Sequence, residues 1–464
     1  MLLAITLAAT LTSGHRAAHE AEILTEFTRF LAIPNVASDT PNIERNAAML
    51  SEMLKHRGVA TQLLRVEGAP PVVFGALDAP GAKKTITFYA HYDGQPTVAS
   101  DWTNGEPWTP VVRDGRIWAR SASDDKAAIV TMLVALDAGS KPKVNLRFFF
   151  EGEEEAGSPH LQQILEKYAA LLKTDAWMLC DGPVHQTGRK QIFYGARGVS
   201  DVEITVYGPA RPLHSGHYGN WVPNPIVLLT HLLDSMRDER GKILVAGFYD
   251  DVAPPTDEEK RAIAALPPVE EQLRAELGIA VPEGKNLNEQ LMLPALNLRG
   301  IASGSVGAKA SNTIQRDATA SIDFRLVPNQ TPERVRDRIE AHVAAQGFHI
   351  VRDTPDMPTR LAHAKIAKLT WHLGYPASRT PLDAPLSREV ADIVRETFGD
   401  VVRLPTLGGS IPMYLFHDAS GAPVIGVPIA NYDNNQHAPN ENMRIDYFWD
   451  GVELFAALFS KLGR

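Results

Sequence analysis

Five short, mainly apolar runs, at 72–77, 85–90, 144–150, 176–180 and 424–429, constrain this chain more than any other feature. Runs of that length, apolar on both faces, suit strands buried inside a layered sheet. Segments of helical period lie among them. Ile23, Phe27, Phe30 and Leu31 share one helix face ahead of Pro34, and Ala47, Leu50, Met53 and Leu54 share another ahead of Gly58. A third helix is predicted over 127–138, with Ser123 or Asp124 as its N-cap. Strands alternating with helices in this way predict an α/β domain with a largely parallel sheet.

The middle of the chain follows another pattern. Residues 199–207 and 318–326 alternate in polarity like half-exposed strands. Helices are expected over 225–236 and from a Thr331 cap to about 345, with a last strand at 348–351. A β-α-β-β-α-β-like, ferredoxin-like unit with one solvated sheet face fits this segment. Between its halves, 249–288 is rich in proline and charge and has no clean period. One domain inserted into another is therefore expected. Its division is a possible leader at 1–19, a first outer part at 20–197, an insert at 198–380 and a second outer part at 381–464.

Composition removes several function classes. With 46 Lys plus Arg against 55 Asp plus Glu, the net charge is −9, which leaves no electrostatic footprint for nucleic acid. A lone cysteine, Cys180, excludes an internal disulfide and a thiolate zinc cluster. No apolar stretch is long enough to span a membrane. The segment from Met1 to Thr12 is apolar and uncharged, like the core of a secretory signal, but it lacks a positive flank. A periplasmic or secreted protein with a cleaved leader and a cytoplasmic one with a leading helix both fit.

What stands at the carboxyl ends of the predicted strands points to chemistry, because ligands bind at that edge of open α/β sheets. The run at 85–90 leads into His91-Tyr92-Asp93, that at 144–150 into Glu151-Gly152-Glu153-Glu154-Glu155, and that at 176–180 into Asp181. His437 follows the last run, and Asp124 and Asp125 open the helix between the first two. Taken singly, these residues read equally well as a turn histidine, a solvated glutamate run and a helix cap. Taken together they do not. Carboxylates massed at one edge repel one another unless a cation neutralises them. Histidines and carboxylates without thiolates suit Zn²⁺, Mn²⁺ or Co²⁺. Two such ions bring four positive charges, which three carboxylate ligands and a bridging hydroxide balance.

Tyr89-Ala90-His91-Tyr92-Asp93, Ser121-Ala122-Ser123-Asp124-Asp125-Lys126 and the stretch from Glu151 to Ser158 resemble motifs of the M20 metallopeptidases. Phe248-Tyr249-Asp250-Asp251-Val252 and Asp323-Phe324-Arg325-Leu326-Val327-Pro328 look most like the carnosine-type dipeptidase and carboxypeptidase G-like branch. The resemblance implies a zinc-peptidase-like sheet domain with an inserted lid that also dimerises, and a pair of divalent ions, Zn²⁺ first among them. His91 and Asp181 would bind one ion, Glu155 and His437 the other, with Asp124 between and a cis peptide joining it to Asp125. Asp93 would orient His91, and Glu154 would be the general base. His214, in His214-Ser215-Gly216, would reach the partner subunit's site and stabilise the oxyanion; a plain turn is its other reading. Arg325 would clamp a substrate carboxylate, or else pair with an acid as an exposed strand arginine. Gly409 and Ser410 would form a substrate-contacting loop, and Asn312 a polar contact. Glu153 and His217 inherit no role.

Gln315 replaces a common proline, and Ala127 and Ala90 replace common glycines, which blurs the subfamily but removes no ligand. The expected reaction is hydrolysis of an amide beside a free carboxylate, in a dipeptide or short peptide. An N-acyl or N-carbamoyl amino-acid amidohydrolase would use the same groups. A metal- or peptide-binding protein without turnover would be marked by loss of the base, and Glu154 is present.

Overall fold

The computed structural model describes residues 2–139 and 141–463, with side chains from residue 12 onward. In chain order the principal strands are β1 (Ala60–Leu64), β2 (Val72–Leu77), β3 (Thr85–His91), β4 (Asn145–Glu151), β5 (Ala176–Leu179) and β6 (Gln191–Phe193). The middle of the chain adds β7 (Gly198–Tyr207), β8 (Ala295–Ala302), β9 (Asp317–Leu326), β10 (His349–Val351) and β11 (Ile366–Tyr375). Last come β12 (Val402–Leu404) and β13 (Val424–Gly426). They form two sheets, ordered β1-β2-β4-β3-β5-β13-β6-β12 and β8-β9-β7-β11-β10.

The larger sheet is parallel at its centre, through β4, β3, β5 and β13. Its flanks are mixed: β1, β2 and β4 pair antiparallel, and so do β13 and β6. Side chains alternate faces along each strand. Phe88 and Phe148 point to one side, where Phe88 meets Phe455 and Phe459 edge-on at 6.1 and 5.1 Å. Tyr89 and Phe149 point to the other, against Phe416 and Trp177. Each large side chain so buried contributes about 1.5–3 kcal/mol. The central strands are thus fixed from both faces, and their carboxyl ends are rigid.

The first helix runs from Leu2 to Leu31, and Phe27 stacks on Phe448 at 5.3 Å. Of the expected leader, Met1 and the side chains through Leu11 lie outside the described residues. The second helix, Thr40–His56, is capped by Asp39, and Gly58 follows it at a φ of +73°. One helix start differs from expectation. The third helix is Lys126–Asp137 with Asp125 at its N-cap position, because the side chains of Ser123 and Asp124 are engaged elsewhere, by Glu441 and by His91 and His437.

In the smaller sheet, helices Pro225–Asp234 and Pro332–Ala345 cover one face, with Leu229, Leu232, Val335 and Ile339 against Val202, Ile204 and Phe324. The strand expected at 348–351 is β10, a three-residue edge. The long strand that completes the β-α-β-β-α-β unit is β11, antiparallel to β7. Its Ala367, Leu369, Trp371 and Leu373 alternate with Lys368, Thr370 and His372, so its signal is present in the sequence. The stretch 249–288 is also ordered, carrying helices Asp257–Ala264 and Glu270–Leu277, with Leu287–Leu291 just beyond. A reciprocal Thr256–Glu259 capping box starts the first of them. The two links between the sheets run side by side, Gly195–Ala196 pairing with Ser378–Arg379.

Candidate active site

Parallel strands in register carry their last residues to a common edge. His91 at the end of β3 pairs with Glu151 at the end of β4, and Asp181 follows β5 by one residue. The loop before helix Lys126–Asp137 lays Asp124 across that edge, and the Asp124–Asp125 peptide is cis. His437 comes from the loop after β13, with a φ of +61°.

Ligand atoms of His91, Asp124 and Asp181 lie within 4.8 Å of one another, and so do those of Asp124, Glu155 and His437. Asp124 belongs to both groups: one carboxylate oxygen is 2.8 Å from His91 Nε2, the other 3.1 Å from His437 Nε2. Glu155 stands 3.1 Å from the same His437 nitrogen. Asp93 has two tasks. Its carboxylate accepts the N–H groups of Glu154 and Glu155 at 3.1 and 3.0 Å, and it lies 3.4 Å from His91 Nδ1, whose closer contact is the Asp93 carbonyl at 3.2 Å. The β3–β4 edge and the Glu154–Glu155 turn are thereby tied together.

The electrostatics of this cluster follow from its crowding. Burial, and then the neighbouring Asp124, push Asp181 up to about 7. Burial also raises Glu154 well above the carboxylate range; His91 opposes this, while Asp181, Asp124 and Glu155 add to it. Hydrogen bonds to Asp124 and then Glu155 push His437 up to about 10. His91 rises although burial alone would lower it, because Asp124 and Asp93 accept from it. Burial would raise Asp124 too, but hydrogen bonds from the two imidazoles hold it below its usual range. Protonated imidazoles occupy the place of cations between crowded carboxylates. Neutral imidazole and carboxylate donors shared through one bridging acid fit a pair of divalent ions, which would displace those protons.

Several residues that hold this arrangement give no advance signal. Glu441 is fully buried and accepts the N–H groups of Ser121, Ser123 and Asp124 at 2.8, 2.9 and 3.0 Å, and the Arg120 guanidinium at 2.8 Å. Gln95 donates to the Glu155 carboxylate at 2.7 Å, and Asp125 accepts the His91 N–H at 3.3 Å. Glu153 is paired with His160 at 3.0 Å.

The expected substrate residues divide. Arg325 donates to Ser410 Oγ at 2.9 Å and to Asp323 at 3.1 Å, and the Gly409 carbonyl accepts the Arg197 N–H at 3.2 Å. Tyr375, at the end of β11, stacks on Tyr414 at 5.8 Å and feels both Arg325 and Glu154. Burial, and then the Glu154 carboxylate, push it up to about 12, against the pull of Arg325. Asn312 and His214 lie elsewhere, exposed on a short ladder of Leu213–His214 with Thr313–Ile314. There the Asn312 carbonyl accepts the Ser215 N–H, and His214 Nδ1 accepts the Gly216 N–H.

The sequence pattern of Peptidase family M20/M25/M40 matches residues 87–461, a span containing every residue of both ligand groups. The chain belongs to this family. It is 28% identical to the Cys-Gly metallodipeptidase of Schizosaccharomyces pombe, over 95% of each chain. It is 26% identical to the human Beta-Ala-His dipeptidase, over 85% of this chain and 80% of that one. Among solved structures, an M20 family metallo-carboxypeptidase from Sulfolobus solfataricus superposes with a TM-score of 0.80 at 28% identity, covering 95% of this chain and 99% of the other.

Proposed function

We propose that this M20 peptidase is a dipeptidase with two co-catalytic ions, acting on dipeptides or short peptides with a free C-terminal carboxylate. The observation that carries this reading is Asp124 shared between two ligand groups, with Glu154 beside the ligand Glu155 in the turn that Asp93 holds. His91, Asp124 and Asp181 would hold one ion and Asp124, Glu155 and His437 the other, Zn²⁺ being the metal this donor set suits first and Mn²⁺ or Co²⁺ the alternatives. A pair of such ions supplies Lewis acidity and an attacking water of lowered pKa. Glu154 would take a proton from the attacking water and pass it to the leaving amine, and its carboxyl, raised by burial, is of the kind that shuttles a proton in this way. Arg325, held by Ser410, would receive the substrate carboxylate, with Gly409 beside it.

The insert, placed at 198–380, would also form the dimer. Edge strand β8 exposes Leu298 and Ile301, and Trp221, Ile226 and Val227 are exposed at the start of the neighbouring helix. His214, exposed beside Asn312 at the Leu213–His214 ladder, would then act as oxyanion donor in the partner's cleft. The names of the relatives favour the dipeptidase reading over the amidohydrolase one. Mass-spectrometric analysis of a panel of dipeptides and N-acyl amino acids, with and without chelator, tests it. Metal-dependent release of free amino acids from dipeptides is expected, and cleavage of the acyl compounds alone would contradict it.

A further inference from the structure

Buried arginines in this molecule are matched to carboxylates. Arg120 pairs with Glu441 at 2.8 Å and Arg379 with Glu259 at 2.9 Å. Arg197 is the contrast. It is 6% exposed, and its Nη2 donates to the Leu293 carbonyl at 3.1 Å. Its Nε is buried without a partner, and among the described residues no carboxylate forms an ion pair with it. Burial, and then the repulsion of Arg325, bring this guanidinium down to about 10 against the attraction of Asp323, whose carboxylate is already paired with Arg325. A buried charge with no carboxylate in contact and incomplete hydrogen bonding is costly and calls for an anion.

Arg197 lies in the wall of a cavity of about 680 Å³ formed by β8, helices Glu270–Leu277 and Leu287–Leu291, and the turn around Gly241. That volume is in the range of small-molecule sites. Much of the wall is aliphatic, including Leu273, Leu291 and Leu296. Its charges are unbalanced: Arg197, Arg237, Arg240, Lys242 and Arg274 against Glu270 and Glu283. Both acids are engaged, Glu283 by Arg237 at 2.6 Å and Glu270 by the N–H groups of Val269 and Leu287. No residue of either ligand group lines this space.

We propose that this cavity is a second binding site, separate from the peptidase centre, for an aliphatic monocarboxylate whose head pairs with Arg197 and whose chain lies among the leucines. Its far wall touches the substrate loop, since Leu291 packs against Gly408 and the Arg197 N–H holds the Gly409 carbonyl. The inference does not rest on the dipeptidase reading. Calorimetric titration of octanoate into the metal-loaded full chain tests it, with 1-octanol as the uncharged control. One saturable site per chain is expected, weakened about tenfold or more in Arg197→Met and about fivefold in Lys242→Glu, with octanol binding far more weakly than octanoate. Lys242 is exposed at the rim, so its replacement leaves the fold and dipeptide turnover unchanged and decides the matter even if Arg197→Met does not fold. Absence of saturable binding would overturn the proposal, as would equal octanoate affinity in the wild type and Lys242→Glu. A raised KM for dipeptides in Arg197→Met with unchanged octanoate affinity would overturn it too, assigning Arg197 to the substrate instead.

Discussion

The acid-and-imidazole cluster and the recognition residues lie in differently built regions. The cluster stands on the ends of β3, β4 and β5, strands packed from both faces, and its loops are tied down by Asp93, Asp125 and Glu441. The residues proposed for recognition cross from β9 to the 408–410 loop through one half-buried contact, Arg325 to Ser410, while Asn312 and His214 sit at an exposed ladder. Charge crowding requires rigidity in the first region, because repelling carboxylates stay together only where the backbone holds them. Recognition makes no such demand, and segments outside the main sheet can supply it. The contrast implies that changes in the first region strike turnover and stability, whereas changes in the second strike affinity for substrate.

The largest effect is expected at the shared ligand. Asp124→Ala should lose both ions and lower kcat by about a thousandfold or more, read from metal content and turnover on the same sample. Full metal content in that variant would break the assignment of Asp124 to both groups. Next comes Glu441→Gln, which leaves the buried Arg120 charge without its partner. A loss of about 3–5 kcal/mol in urea unfolding should accompany weaker metal binding. A smaller effect is predicted in the recognition region. Arg325→Ala should raise KM for dipeptides roughly ten- to a hundredfold with kcat little changed, the signature of lost uniform binding.

The smallest effect sharpens the electrostatic side of the comparison. Asp181 at about 7 and His437 at about 10 both stand above their unfolded values, so each stabilises the metal-free fold at low pH. That contribution fades as pH rises, for Asp181 from its unfolded value to about 7 and for His437 from its unfolded value to about 10. Ions replace those protons. The rise in Tm on adding metal should therefore grow between pH 5 and pH 9, and differential scanning fluorimetry across that range measures it. A constant increment would mean that the ions displace no protons from Asp181 and His437.

The same contrast explains what could be read in advance. Mainly apolar runs ending in His91, Glu151 and Asp181 announce themselves, because a strand buried on both faces favours apolar residues until it ends. Glu441 and Gln95 do not, since their importance lies in which N–H groups or carboxylate the folded loops bring to them. Strand β11 is legible by its alternation, but 348–351 lies nearer the end of the expected helix and carries the stronger local pattern for a following strand. The mixed flanks of the larger sheet had no local signal, as pairing direction depends on the path of the connections rather than on the strand residues. Nor did the separation of Asn312 from Arg325 and Ser410, which depends on how the Thr313–Ile314 ladder is placed.

The central claim is that two ions held through Asp124 act with Glu154 as the base. Metal content and dipeptide turnover measured together on the wild type and Glu154→Gln test it most directly. Two ions per chain in both proteins, with turnover lowered about a thousandfold in the variant, is the predicted result. Undiminished turnover in Glu154→Gln, or a wild type that hydrolyses dipeptides after its metal is removed, would contradict it.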